Sequence, residues 1–121
     1  MNLESIKGFR DLKVWQKSMD LVTEIYALIK LLPNEERYVL SDQMRRAAIS
    51  IPSNIAEGYG RNANKDFGRF LSIARGTKLE LETQLELCIM LKYLQRAQVQ
   101  KAFTLCDEVG KMLNAIIAKI S

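Results

Sequence analysis

Apolar residues recur at three- and four-residue steps through almost the whole chain, and only Pro33, Pro52 and six glycines interrupt them. That spacing is the helix period, and a many-stranded sandwich or barrel would need a turn signal every ~8–12 residues. The chain therefore reads as all-α. At 121 residues it reads as a single domain over 1–121, long enough to close a core without metal or disulfide staples.

Four segments emerge. The first runs from about Asp11, a plausible N-cap, to Leu32, where Pro33 ends it. Its apolar stripe reads Trp15, Met19, Val22, Ile25 or Tyr26, Ile29 and Leu32. Residues 1–10 precede the pattern and read as a loosely held tail. The second segment starts near Asn34, with Glu35 and Glu36 in its first turn, and runs to about Glu57 before Gly58 and Gly60. Pro52 lies inside it, so a kink is expected near Ala48 to Pro52. The third begins after Asn62 or Asn64, either of which could cap it, and carries its stripe from Phe67 to Leu91 or Leu94. Gly76 falls inside it, and close backbone packing would offset its cost of ~1 kcal/mol. The fourth runs from about Gln98 to Ile120. Four amphipathic helices on short links predict an antiparallel up-down-up-down four-helix bundle.

The chain has no histidine, which removes Ser-His-Asp and Cys-His catalysis, most zinc sites and the Glu-x-x-His ligands of di-iron bundles. Cys88 and Cys106 fall in apolar helical patterns and read as reduced core residues of a cytoplasmic protein; a disulfide between neighbouring helices is the other reading. Glu80, Glu82 and Glu86 read as a solvated face, with Lys78 four residues before Glu82, so no metal and no cofactor is expected. The longest uncharged stretch, Ala47 to Ala56, is far short of the ~20 apolar residues of a membrane span. Glu4 and the lack of an apolar run near the start argue against a secretory signal. No nucleophile stands beside a base, and the chain is not expected to be an enzyme.

Two features depart from a generic bundle. At ~100° per residue, Arg46, Ser50, Ser53 and Glu57 share one face of the second segment, flanked by Asn54 and, where helical phase persists, Arg61. That stripe either meets another helix and fixes its register, largely buried, or grips a ligand, partner or phosphate. The charge is also uneven. Arg37 to Lys78 holds eight basic residues against three acidic ones, a net of +5, whereas the remainder holds ten against eleven. Clustered Arg and Lys are the footprint of a nucleic-acid backbone partner, though a solvated basic face has the same composition. Arg45, Arg46, Arg61, Lys65, Arg69 and Arg75 are the candidate contacts. Tyr59, between two glycines, could stack on a base or seat a neighbouring subunit, whereas Phe67 and Phe70 read as core. Gly58-Tyr59-Gly60-Arg61-Asn62 lacks the Gly-Lys-Ser/Thr ending of a P-loop. Val14, Leu21, Leu28, Ile49, Ile73, Leu87 and Leu105 lie beyond one stripe per helix, which suggests apolar faces covered by other copies.

The block Gln43-Met44-Arg45-Arg46-Ala47-Ala48-Ile49-Ser50-Ile51-Pro52-Ser53-Asn54-Ile55-Ala56-Glu57-Gly58 resembles the 23S rRNA intervening-sequence protein family. So do Phe9-Arg10-Asp11-Leu12-Lys13-Val14-Trp15, Pro33 to Tyr38, Gly60-Arg61, Ala74-Arg75-Gly76 and Glu80 to Leu85. The likeness covers residues 9–94 closely and the last helix by pattern. Thr77 stands where the family usually has serine. The resemblance implies a four-helix bundle and a homopentameric ring in bacteria, encoded within insertions of ribosomal RNA genes or free-standing. The family is similar to accessory proteins of diversity-generating retroelements, basic pentamers that engage nucleic acid and a reverse transcriptase. The expectation is a non-catalytic, oligomeric nucleic-acid-binding protein, RNA favoured over DNA. The alternative is an oligomeric scaffold that docks a protein partner and has no nucleic-acid role.

Overall fold

The computed structural model describes residues 5–121, of which four long helices form the body: α1 (Lys13–Ile29), α2 (Leu40–Tyr59), α3 (Asn64–Met90) and α4 (Arg96–Ile120). Short 3-10 turns, Phe9–Asp11 and Asn34–Glu36, precede α1 and α2, and no strand occurs among the described residues. Each helix packs on the next and α4 closes onto α1, leaving α1/α3 and α2/α4 as the diagonals. Side-chain pairs give the directions. Lys17 meets Glu108 and Glu24 meets Lys101 between α1 and α4. Glu86 meets Arg96 and Arg75 meets Asn114 between α3 and α4. Met44 meets Cys88, while Gly58 meets Phe67 and Phe70, between α2 and α3. In each seam one number rises as the other falls, so those neighbours run antiparallel. The chain forms a four-helix bundle.

The core holds Leu21 and Ile25 of α1, Met44, Ile51 and Ile55 of α2, Leu71, Leu81 and Leu85 of α3, and Val99 and Leu113 of α4, all fully buried. The free thiols of Cys88 and Cys106 lie among them. Burial pushes Cys88 up to about 11 and Cys106 up to about 12, so both stay neutral at physiological pH.

Several boundaries differ from the sequence reading. Asp11 does not cap α1, whose N-cap is Leu12 without a side-chain bond. Its Oδ2 instead accepts the Lys7 amide at 3.1 Å, closing the preceding turn. Residues 1–4 of the expected tail lie outside the described residues. The rest is docked: Phe9 packs edge-on against Trp15 at 5.2 Å, and Tyr59 Oη donates to the Ile6 carbonyl. The buried line of α1 is Val14, Ser18, Leu21, Ile25 and Leu28, one residue out of phase with the expected stripe. Both lines are apolar, and the one facing α2 and α4 together is the one buried.

Around Pro33 the chain makes a 3-10 turn rather than a helix start, and α2 begins only at Leu40, whose amide meets Glu36 Oε1 at 3.4 Å. It then runs as one helix through buried Pro52 to Tyr59. α3 starts on Ala63, so neither Asn62 nor Asn64 caps it. It stops at Met90, and Lys92 takes a left-handed φ of 64° in the link. Gly76 has no atom within 4 Å of where a Cβ would sit, so the expected close packing is absent there. It occurs at Gly58 instead. α4 opens two residues earlier than expected, on a Gln95–Gln98 capping box.

Candidate nucleic-acid interface

The six candidate cations do not form one patch. Arg61, Lys65 and Arg69 gather where α2 hands over to α3. Arg45 and Arg46 stand fifteen residues or more before Arg61, roughly 22 Å back along the bundle at ~1.5 Å per helical residue. Arg46 pairs with Asp42 on its own helix at 2.9 Å and is largely exposed, whereas Arg45 is half-buried. Arg75 turns to the α3/α4 seam, where Nη1 donates to Asn114 Oδ1 at 3.0 Å.

The local sequence explains the remaining cluster. A Cβ on Gly58 would stand 2.6 Å from Phe70 Cβ and 3.1 Å from Phe67 Cδ1, so only glycine lets α2 and α3 approach this closely. The approach fixes Phe67 against Tyr59, edge to face at 5.9 Å, and holds Phe70 half-buried at the rim. Phe70 is therefore not the core residue the sequence suggested. Its ring carries two guanidinium groups, with Arg61 Cζ at 5.0 Å and Arg69 Cζ at 4.6 Å from the centroid. Such stacking fixes a cation's position without neutralising it. Two acids lie nearby, Glu57 at 3.1 Å from Arg61 and Asp66 at 4.0 Å from Arg69. All four side chains are about half exposed, so these pairs are weak and exchangeable. Lys65, one turn before Arg69, is exposed.

The polar stripe of α2 is not buried as expected. Ser53 and Glu57 are exposed, Ser50 and Asn54 half-buried, and Arg46 retains 75% side-chain exposure. Arg46 and Asn54 find partners on their own helix: Arg46 meets Asp42, and Asn54 Nδ2 donates to the Ser50 carbonyl at 2.8 Å and to its hydroxyl at 2.9 Å, while Glu57 meets Arg61 just past the helix end. Bonds at i,i+4 need no second helix, which is why the stripe faces outward. Buried polar residues are Ser18, Ser41 and Gln84.

Four of the seven surplus apolar residues, Val14, Leu21, Leu28 and Leu105, enter the core, while Ile49, Ile73 and Leu87 stay about 40% exposed. Ile49 joins Trp15, Met19, Val22 and Pro52 in an apolar groove of about 360 Å³ between α1 and α2. On α3, Glu82 pairs with Lys78 at 2.6 Å, and Lys78 lies across Gly110 of α4. The sequence signalled the Lys78–Glu82 spacing but not its burial, which depends on the absent side chain at 110. Among the described residues no group of three His, Cys, Asp or Glu comes together to hold a metal. No described helix is long and apolar enough to cross a membrane.

Residues 10–115 match the family described as 23S rRNA-intervening sequence protein. The chain belongs to that family. A solved structure of a protein with unknown function, from the S23 ribosomal protein family of Bacteroides thetaiotaomicron, is 35% identical. It superposes with a TM-score of 0.79 over 86% of this chain and 97% of that one. No curated protein matches the chain. The family match takes in the whole cluster around Phe70 and ends before the last residues of α4.

Proposed function

We propose that this family member is a non-catalytic, self-associating, cytoplasmic protein that binds nucleic acid, RNA in preference to DNA, through the end of the bundle where α2 meets α3. The observation that carries the reading is the Phe70 ring bearing Arg61 and Arg69, with Lys65 beside them. A ring that holds two guanidiniums in place lowers the ordering cost when they meet phosphates, and an aromatic rim suits unstacked bases. Arg45, Arg46 and Arg75, each tied into the bundle or distant from Phe70, are secondary contacts in this reading.

Self-association supplies avidity. The groove between α1 and α2 and the exposed Ile73, Leu79 and Leu87 of α3 are two different apolar faces of one chain. Two unlike faces that mate join copies head to tail, and a closed ring such as a pentamer satisfies every face. Five copies multiply the net charge of +4 per chain, and phosphate contacts add through counterion release.

The test is filter binding of RNA at two salt concentrations. Wild type loses affinity steeply with salt. Arg61→Ala, Lys65→Ala and Arg69→Ala combined lower the log–log slope by about 2, at ~0.7 per single-stranded phosphate contact, and weaken all sequences alike. Undiminished affinity in a folded triple variant overturns the reading. The α1/α2 groove favours one alternative, a scaffold that docks a protein; it prevails if wild type binds neither RNA nor DNA at low salt.

A further inference from the structure

Beside the Phe70 cluster, α3 and α4 part to leave a groove of about 480 Å³. Its α3 wall is made of small or short residues four apart, Asn64, Gly68 and Ser72. Elsewhere this seam is bridged by long side chains: Arg75 reaches Asn114, Lys78 crosses Gly110, and Glu86 meets Arg96. At Gly68 a Cβ would just touch Ile120 Cδ1 at 3.8 Å. The floor is apolar, made of Ile117 and Ile120, and the rim carries Lys65 and Arg69. Arg69 belongs to both features, since it stacks on Phe70 and lines the groove.

An apolar floor, an amide and a hydroxyl on one wall, and two cations on the rim match one chemistry. The ligand has a flat body with hydrogen-bonding edges and an anion held a sugar's length away. A nucleotide has that form. We infer that the Gly68 groove receives the base of one unpaired nucleotide, its phosphate held by Lys65 and Arg69, so that the protein selects single-stranded over duplex RNA. This rests on the nucleic-acid reading above and adds strand selectivity to it. Phosphate contacts at Arg61, Lys65 and Arg69 alone would hold a duplex as readily as a strand. A groove that must take a base edge-in excludes a paired one, because extrusion costs unpairing and unstacking.

The experiment measures fluorescence anisotropy of a labelled single-stranded RNA and of a duplex of equal length. Proteins are wild type, Gly68→Ala, Gly68→Leu and Ser72→Leu, each first checked by circular dichroism for helix content. Wild type is expected to favour the single strand by about tenfold. Gly68→Leu and Ser72→Leu fill the groove and erase that preference while duplex binding stays. Gly68→Ala, whose methyl only touches Ile120, keeps it. Ser72 is exposed, so its variant decides the matter if Gly68→Leu does not fold. Equal binding of strand and duplex by wild type, or an unchanged preference in Ser72→Leu, overturns the inference and leaves the nucleic-acid reading standing. Loss of all RNA binding by wild type defeats both. Displacement of the strand by a mononucleotide at comparable concentration overturns the assignment to a strand and marks the groove as a site for free nucleotides.

Discussion

At one end of the bundle the polar groups consume one another; at the other they are held in place and left open. At the closed end, Tyr93 Oη donates to Glu36 Oε2 at 2.7 Å and Leu94 is buried in the link, while Arg96 and Glu86, at 2.8 Å, form a pair as exposed as those at the other end. At the open end, Arg61 and Arg69 lie on Phe70 and pair only loosely with Glu57 and Asp66. Both ends contain arginine, glutamate and an aromatic ring. The difference lies in what the ring does. A phenol that donates to a carboxylate ends a network, whereas a phenyl face has no hydrogen to give and simply supports cations. The closed end therefore serves the fold, and the open end leaves its cations accessible.

The largest expected effect breaks the open end from inside. Gly58→Ala forces Phe70 away, because a methyl 2.6 Å from its Cβ has no room. It should destabilise by ~1–3 kcal/mol despite the better helix propensity of alanine, and it should weaken RNA binding as well. Gly76→Ala is its control: nothing lies within 4 Å, so a gain of ~0.5–1 kcal/mol is expected from the same substitution on the next helix. Paired thermal melts check both signs, and equal effects would show that the approach at Gly58 does not hold Phe70.

Tyr93→Phe tests the closed end. Losing a hydrogen bond to a carboxylate should lower the melting temperature and leave RNA affinity unchanged. The bond to Glu36 raises the Tyr93 phenol from 10.0 to about 12, with burial adding to it. The fold thus favours the neutral phenol, and that stability is complete below pH 10 and lost as pH rises toward 12. The two thiols, raised by burial from 9.0, act in the same direction from pH 9 upward. A pH series of melts should show stability falling above pH 9, with the part between 10 and 12 reduced in Tyr93→Phe.

The smallest effect sharpens the contrast. Glu57→Ala removes an exposed acid from Arg61 and should change the melt by less than ~0.5 kcal/mol. It should tighten RNA binding slightly, since one negative charge leaves the neighbourhood of Arg61. A melt lowered by more than this amount would mean the α2 stripe is covered in the assembled protein.

Much of the fold was legible because period and punctuation are local. The four helices, the burial of Cys88 and Cys106 and the core roles of Ile51, Ile55, Leu81 and Leu85 all follow from spacing, although α1 ends at Ile29 and not at Leu32 before Pro33. What failed depends on neighbours. The phase of α1 could not be read from one helix, because Val14–Leu21–Leu28 and Trp15–Met19–Val22 have the same period and only the placement of α2 and α4 separates them. Gly76 and Gly58 look alike in a sequence, and only the path of α3 decides which one is crowded. The α2 stripe was read as buried because its spacing fits a helix contact, yet Arg46 and Asn54 find partners within their own helix and Glu57 finds Arg61 just beyond its end. Among the candidate cations, charge clustering took in Arg61, Lys65 and Arg69, which the fold gathers around Phe70. It also swept in Arg75 and Arg46, which the bundle directs elsewhere.

The burial of the two thiols has a consequence for how this protein can be watched. Cys88 touches Met44 Sδ at 3.7 Å near the closed end, while Cys106 lies deeper along α4. Neither thiol is ionised or reachable in the closed bundle, so an alkylating reagent reacts with each only when the surrounding helices separate. The chain thereby carries two built-in clocks for opening, one beside the latch and one amid the core. If the bundle opens as a unit they run at one rate; if the closed end breathes first, Cys88 is modified ahead of Cys106.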